Sequence, residues 1–235
     1  MGSEDEASPA PPAKRGQRTT KRVLSEAHVF MVRPHLEGIP PPLPPKGFHL
    51  VAYRPGDEAA WLEIIRLSYG GKWPEEAFQK CVASDESFRP ERLFFAAQAP
   101  KYAGCFTAGQ GERPAFGQPA TGESGRVIGA PSAGKLVGTA GAFQKLWHGD
   151  HTGYVHMMGV LPEFQRRGLG TALLRRCLLY FREQGWRDAV LDTESARLPA
   201  IRLYLAHGFR PAPEVEGDVQ RWREVLAKLN LKGTC

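Results

Sequence analysis

One short segment constrains the fold of this chain more than any other. Over residues 160–170 an apolar run passes through a basic, glycine-containing turn into a strongly periodic helical pattern. A turn that joins a strand to a helix exposes unpaired backbone N–H groups, together with the positive end of the helix dipole, to any anion nearby. The segment therefore predicts a strand, a turn and a helix with an anion site at the turn, of the kind that holds a pyrophosphate.

The flanking residues extend this segment into a strand–helix–strand unit. Residues 154–160 predict the strand that leads into the turn, and apolar residues at helical spacing continue from Gly170 until Gly185, with Cys177 on the core-facing stripe. Residues 189–191 are continuously apolar, which is typical of a strand buried on both faces beside a parallel neighbour. The fold class is therefore α/β (α+β).

Shorter periodic segments account for most of the remaining chain. In chain order they predict an edge strand at 48–53, a helix that begins after Asp57, a helix that begins at Pro74, strands at 93–97 and 135–143, a helix that begins at Pro199, and an amphipathic terminal helix at 219–229.

Composition divides the chain into three parts. Residues 1–46, rich in Ser, Pro, Ala, Lys and Arg, are expected to be a disordered tail with a proline-rich lead-in. Residues 47–211 form the predicted domain, within which the Gly/Pro-rich residues 98–134 are a long insertion in a hairpin. Residues 212–235 are the predicted C-terminal helical segment.

Charge and cysteine content restrict the ligands and the compartment. A formal net charge of +6 favours anionic ligands, which include nucleic acid and phosphorylated cofactors alike. The four cysteines are widely spaced, and His148-Gly149-Asp150-His151 is a single polar loop, so we expect neither a disulfide framework nor a metal site. Without a long apolar run or a signal peptide, the chain is expected to be cytoplasmic and to have no membrane partner.

The glycine spacing narrows the choice among phosphorylated ligands. A dinucleotide fingerprint needs a third glycine where this chain has Leu173, and a P-loop needs Lys followed by Ser or Thr after Gly170. Dinucleotides and ATP are therefore both disfavoured.

At this point the sequence resembles the GNAT family of acyl-CoA-dependent N-acyltransferases. Gln165-Arg166-Arg167-Gly168-Leu169-Gly170 is similar to the family's Gln/Arg-x-x-Gly-x-Gly/Ala motif, and residues 200–209, Ala-Ile-Arg-Leu-Tyr-Leu-Ala-His-Gly-Phe, are similar to its Ala-Ile-x-Leu-Tyr…Gly-Phe signature. The resemblance is strong over residues 153–211 and looser over 47–143, with a general similarity to the C-terminal half of mycothiol synthase-type members.

The resemblance implies a mixed central sheet, flanked by helices, that splays between its fourth and fifth strands and takes acetyl-CoA in the gap. Backbone groups of Met158, Gly159 and Val160 would pair with the pantetheine arm, and the N–H groups from Arg166 to Thr171 would hold the pyrophosphate. The implied cofactor-binding residues are Met158, Gly159, Val160, Gln165, Arg166, Arg167, Gly168, Leu169, Gly170, Thr171 and Arg197.

The resemblance also implies direct attack of an amine on the thioester. Tyr204 matches the usual general acid of the family. His156 is the candidate base, since strand alternation is expected to put it on the same side as Met158 and Val160, while Glu194 is a weaker candidate. Arg197 occupies a position where many members have asparagine, which suggests a different neighbour there, such as a phosphate or an acidic group of the substrate.

The expected function is acetyl transfer from acetyl-CoA to a small-molecule or protein amine through a ternary complex. The alternative is a non-catalytic acyl-CoA-binding sensor or interaction module. A nucleic-acid binder is not expected, because the chain lacks a recognition pattern beyond its basic tail. The resemblance leaves room for a homodimer.

Overall fold

The computed structural model describes residues 28–99, 134–144, 149–213 and 217–231. These residues form one seven-stranded sheet with helices on both faces. The strands are β1 (His28–Arg33), β2 (Phe48–Ala52), β3 (Leu93–Gln98), β4 (Lys135–Gln144), β5 (Thr152–Val160), β6 (Asp188–Glu194) and β7 (Arg210–Pro211). The helices are α1 (Glu58–Tyr69), α2 (Leu169–Glu183), α3 (Leu198–Ala206) and α4 (Asp218–Lys228).

The strand order in the sheet is β2-β3-β4-β5-β6-β1-β7. β5 and β6 are parallel, and the other neighbouring strands are antiparallel. The predicted parallel pair around α2, the edge position of β2 and the β3–β4 hairpin are therefore confirmed. The fold is the expected mixed α/β sheet.

α1 and α2 cover opposite faces of the sheet. On the α1 face, a Cβ added at Gly159 would lie 2.9 Å from Ser68. On the α2 face, a Cβ added at Gly153 would lie 2.4 Å from the ring of Phe181. Both helices therefore press directly on β5, the strand that leads into the turn.

β1 corrects the expected disordered lead-in. His28–Arg33 pairs with β6 and with β7, and Val29, Phe30 and Met31 are at most 2% exposed. Four consecutive apolar residues bury both faces of the strand, which outweighs the proline-rich sequence that follows. The prediction that all of residues 1–46 lie outside the domain is wrong for this strand, while residues 1–27 fall outside the described part of the chain.

Three further predictions have different outcomes. The helix expected to begin at Pro74 is reduced to a π-helical turn at Gln79–Ala83. Most of the insertion predicted at 98–134, namely residues 100–133, lies outside the described residues. The terminal helix is present as α4, whose Trp222 is fully buried.

β5 and β6 diverge as the resemblance implies. The last residues they pair are Tyr154 and Val190, although β5 continues to Val160 and β6 to Glu194. Beyond this point the two strands enclose a gap that opens towards the turn before α2.

Candidate active site

The turn before α2 has an unusual backbone conformation. Arg166 has φ +58° and Gly168, the N-cap of α2, has φ +89°. The first turn of the helix closes with a hydrogen bond from Ala172 N to Gly168 O at 3.1 Å. The amides of Leu169, Gly170 and Thr171 therefore have no acceptor within the helix and point out of its positive end.

A cavity of about 460 Å³ lies in front of these amides and reaches into the gap between β5 and β6. Its lining includes nine of the predicted cofactor-binding residues: Met158, Gly159, Val160, Gln165, Arg166, Gly168, Gly170, Thr171 and Arg197. Ser68, Phe164, Pro199, Ala200 and Leu203 complete it. The two family-like motifs thus contribute to one cavity.

The other two predicted residues place their side chains elsewhere. Arg167 donates from Nη2 to Glu163 O at 2.9 Å, and its guanidinium lies 5.2 Å from the ring centroid of Phe164. The side chain of Leu169 is 1% exposed and belongs to the core. Only the backbone amides of these two residues remain at the turn.

The carbonyl groups of β5 that face the gap accept hydrogen bonds from the end of α1. Tyr69 donates its hydroxyl to Met158 O at 3.2 Å, and Ser68 donates its hydroxyl to Val160 O at 3.0 Å. Gln165 Nε2 donates to the same Val160 carbonyl at 3.0 Å. Ser68 and Tyr69 were missed from the sequence, although Ser68 lies one helical turn after Ile64 on the buried face.

Arg197 joins the end of α1 to the start of α3. It is the N-cap residue of α3, and its Nη2 donates to Ser68 O at 3.4 Å. The guanidinium carbon lies 3.8 Å from the centroid of the Tyr69 ring, a close cation–π contact. The neighbour that the sequence could not identify is therefore Tyr69.

Tyr204 is buried on α3, close to these groups. Burial raises the pKa of Tyr204, the neighbouring Tyr69 raises it further, and the positive charge of Arg197 opposes both effects. Burial likewise raises the pKa of Tyr69, again opposed by Arg197. Both phenols are therefore protonated, and hence able to donate a proton, at neutral pH.

His156 lies on the opposite side of the strand from the one expected. Gly141 pairs with His156 and Thr139 with Gly159, so β5 has an extra residue here, and Met157 takes φ +46°. This bulge shifts the alternation and places His156 on the α1 face with Gly159. The expectation that it shares a side with Met158 and Val160 is wrong.

The ring of His156 is held in place on that face. Nε2 lies 2.7 Å from Cys81 O, and since a carbonyl only accepts, Nε2 is the donor in this contact. The ring stacks on Phe143 at 4.8 Å between centroids. On the same face Tyr154 donates its hydroxyl to Asp192, while Glu194 is exposed at the end of β6.

Two further features bear on the kind of site. Within the described ranges, no three His, Cys, Asp or Glu side chains are grouped so that they could hold a metal ion. None of the helices in the described part of the chain has the length and apolar character needed to cross a membrane.

The class of protein follows from comparison with known families. The model of the acetyltransferase (GNAT) family matches residues 59–209, which include the turn, the gap and Tyr204. The chain belongs to this family of acetyltransferases.

Particular relatives support this assignment at different levels. A mycothiol acetyltransferase of Catenulispora acidiphila is 25% identical over 203 residues, covering 84% of this chain and 53% of that protein. N-acetyltransferase 8 of Rattus norvegicus is 32% identical over 95 residues, covering 40% of this chain and 43% of that protein. This chain spans about half the length of the curated mycothiol acetyltransferases it matches.

A solved structure confirms the fold. The GCN5-related N-acetyltransferase of Sphaerobacter thermophilus superposes with a TM-score of 0.55 at 23% identity, covering 79% of this chain and 48% of that one. The similarity includes the mixed sheet and its helices.

Proposed function

We propose that this chain transfers the acetyl group of acetyl-CoA directly to an amine acceptor, with both substrates bound at once. The observation that supports the proposal most strongly is the position of the cavity. It joins the unpaired amides at the start of α2 to the gap between β5 and β6. The end at the amides can bind a diphosphate. The end in the gap can hold the extended pantetheine arm, which needs hydrogen-bond partners on the backbone.

The diphosphate is assigned to the turn. The amides from Arg166 to Thr171 and the positive end of α2 attract negative charge, and the Arg166 side chain lines the same cavity. The pantetheine arm is assigned to the gap, beside the backbone of Met158, Gly159 and Val160. A carbonyl oxygen has two lone pairs, so Met158 O can accept a hydrogen bond from the arm besides the one from Tyr69. Val160 O already accepts from Ser68 and Gln165, so the arm would have to replace one of these donors there.

Tyr204 is assigned the role of general acid. The amine nitrogen attacks the thioester carbon, the C–S bond breaks, and the departing thiolate takes the proton of the phenol. The raised pKa keeps the phenol of Tyr204 protonated before the reaction. Since an ordinary thiol has a pKa of about 8.5, transfer of the phenol proton to the thiolate is uphill, and the positive charge of Arg197, which lowers the pKa of Tyr204, favours it. Positioned acid catalysis of this kind contributes roughly 10²–10⁴-fold in rate.

His156 remains the proposed base. The bulge in β5 places it on the α1 face, so the acceptor amine is proposed to approach from that face. The proposed acceptor is a small-molecule or protein amine. Formation of a homodimer stays a prediction.

Release of CoA thiol tests the proposed function. The full chain is mixed with acetyl-CoA and a panel of small amines, amino sugars and peptides with free N-termini, and the thiol is detected with a chromogenic disulfide. Tyr204→Phe should lower kcat by at least about 100-fold without weakening acetyl-CoA binding. Tyr180→Phe is the matched control. Tyr180 is also buried, but it lies on α2, where its hydroxyl accepts a hydrogen bond from Arg92 Nε.

Three outcomes separate the alternatives. Turnover that depends on Tyr204 supports the transferase. Acetyl-CoA binding without turnover across the panel would favour a sensor or interaction module instead. Turnover that is unchanged in Tyr204→Phe would contradict the assigned acid.

A further inference from the structure

The cavity has two ends of different character. One end is the turn at Gly168 and Thr171, assigned above to the diphosphate. β5 runs into this turn, so Met158 lies further from it than Val160 does. The other end of the cavity is therefore the one lined by Ser68, Met158 and Arg197, and a bound acyl group would point towards it.

Tyr69 contacts every component of this far end. Its hydroxyl binds Met158 O, its ring lies under the guanidinium of Arg197, and it follows Ser68, whose carbonyl accepts from Arg197. The ring is half-buried and packs against the hydrophobic core at the end of α1. Arg197 thus lines this end of the cavity, and Tyr69, which does not line the cavity, holds the guanidinium from behind.

We propose that Arg197, held in place by the ring of Tyr69, closes the acyl end of the cavity as a wall and restricts the acyl donor to short chains. The inference rests on the proposed function, because it needs the diphosphate at the turn. A two-carbon acyl group ends in front of this wall. A longer chain has to displace the guanidinium from the Tyr69 ring and from Ser68 O, which leaves a permanent charge without these partners against an alkyl chain.

Whether affinity falls or rises as the acyl chain grows distinguishes a closed end of the cavity from an open channel. In an open apolar channel each added CH₂ group would bury more apolar surface and strengthen binding. Against a closed wall, affinity falls as the chain grows. The acyl series therefore tests the geometry even though the acceptor amine is unidentified.

The experiment is calorimetric binding of CoA, acetyl-CoA, butyryl-CoA and hexanoyl-CoA to the full chain. Wild type should bind hexanoyl-CoA at least tenfold more weakly than acetyl-CoA. Arg197→Ala should reduce that ratio at least tenfold, because it removes the planar cation from the wall. Tyr69→Phe is the matched control, because it keeps the ring under Arg197 and should leave the ratio unchanged.

The outcomes separate this inference from the proposed function. If neither CoA nor acetyl-CoA binds, the proposed function fails. If both bind, and hexanoyl-CoA binds wild type as tightly as acetyl-CoA, only the wall is refuted. Should Arg197→Ala fail to fold, the wild-type series decides the matter, with Arg197→Lys, which keeps the charge but loses the planar stack, expected to bind hexanoyl-CoA better than wild type does.

Discussion

Two glycines with the same backbone geometry permit a matched test of the anion site. Gly168 and Gly217 both have φ +89°, both are N-cap residues, and neither has an atom within 4 Å of an added Cβ. A side chain at either position pays for the left-handed conformation, about 1–2 kcal/mol, partly offset through the unfolded chain. We expect Gly168→Glu and Gly217→Glu to lower Tm by similar amounts, about 2–4 °C each.

Their effects on the cofactor should differ. A carboxylate at position 168 lies beside the proposed diphosphate, and each charge pair roughly 6 Å apart costs about 1–3 kcal/mol near a protein surface. The Kd of Gly168→Glu for acetyl-CoA should therefore rise at least tenfold, as measured by calorimetry, while that of Gly217→Glu stays at the wild-type value. Equal affinities in two folded variants would refute the assignment of the diphosphate to this turn.

Two further predictions concern the core around the site. Gly153→Ala should destabilise the fold by at least about 1–3 kcal/mol, because its Cβ would lie 2.4 Å from the Phe181 ring, and a thermal melt at or above the wild-type Tm would contradict this packing. Cys177 should resist alkylation in the native protein at pH 8, since burial raises the pKa of its thiol to about 12 and thiolate forms only as the pH approaches that value. Peptide mapping after iodoacetamide treatment checks this, with the denatured protein as the control, and rapid native labelling would contradict the burial of Cys177.

Local patterns were sufficient to predict the part of the fold that carries the site. The apolar strand, the glycine turn and the periodic helix at residues 154–183 are all determined by near neighbours in sequence, and the structure has β5, the turn and α2 there. The resemblance to the GNAT family added the splayed sheet, which the end of β5–β6 pairing at Tyr154 confirms.

Features set by distant contacts escaped prediction. β1 inserts between β6 and β7, strands more than 150 residues later in the chain, and its short apolar run is ambiguous without those partners. The bulge at Met157 depends on pairing with β4 and reverses the side of His156. The contact of Arg197 with Tyr69 joins two helices through tertiary packing, so no spacing in the sequence reveals it.

Hydrogen exchange in the presence of acetyl-CoA tests the central claim most directly. Peptides that cover Met158 to Thr171 should exchange more slowly when acetyl-CoA is added, because the cofactor would occupy the unpaired amides at the turn and order the backbone beside the gap. Peptides from α4, which contacts β1 and contributes no residue to the cavity lining, should be unaffected. Protection of residues 158–171 without protection of α4 would support the account, whereas unchanged exchange at residues 158–171 at saturating acetyl-CoA would contradict it.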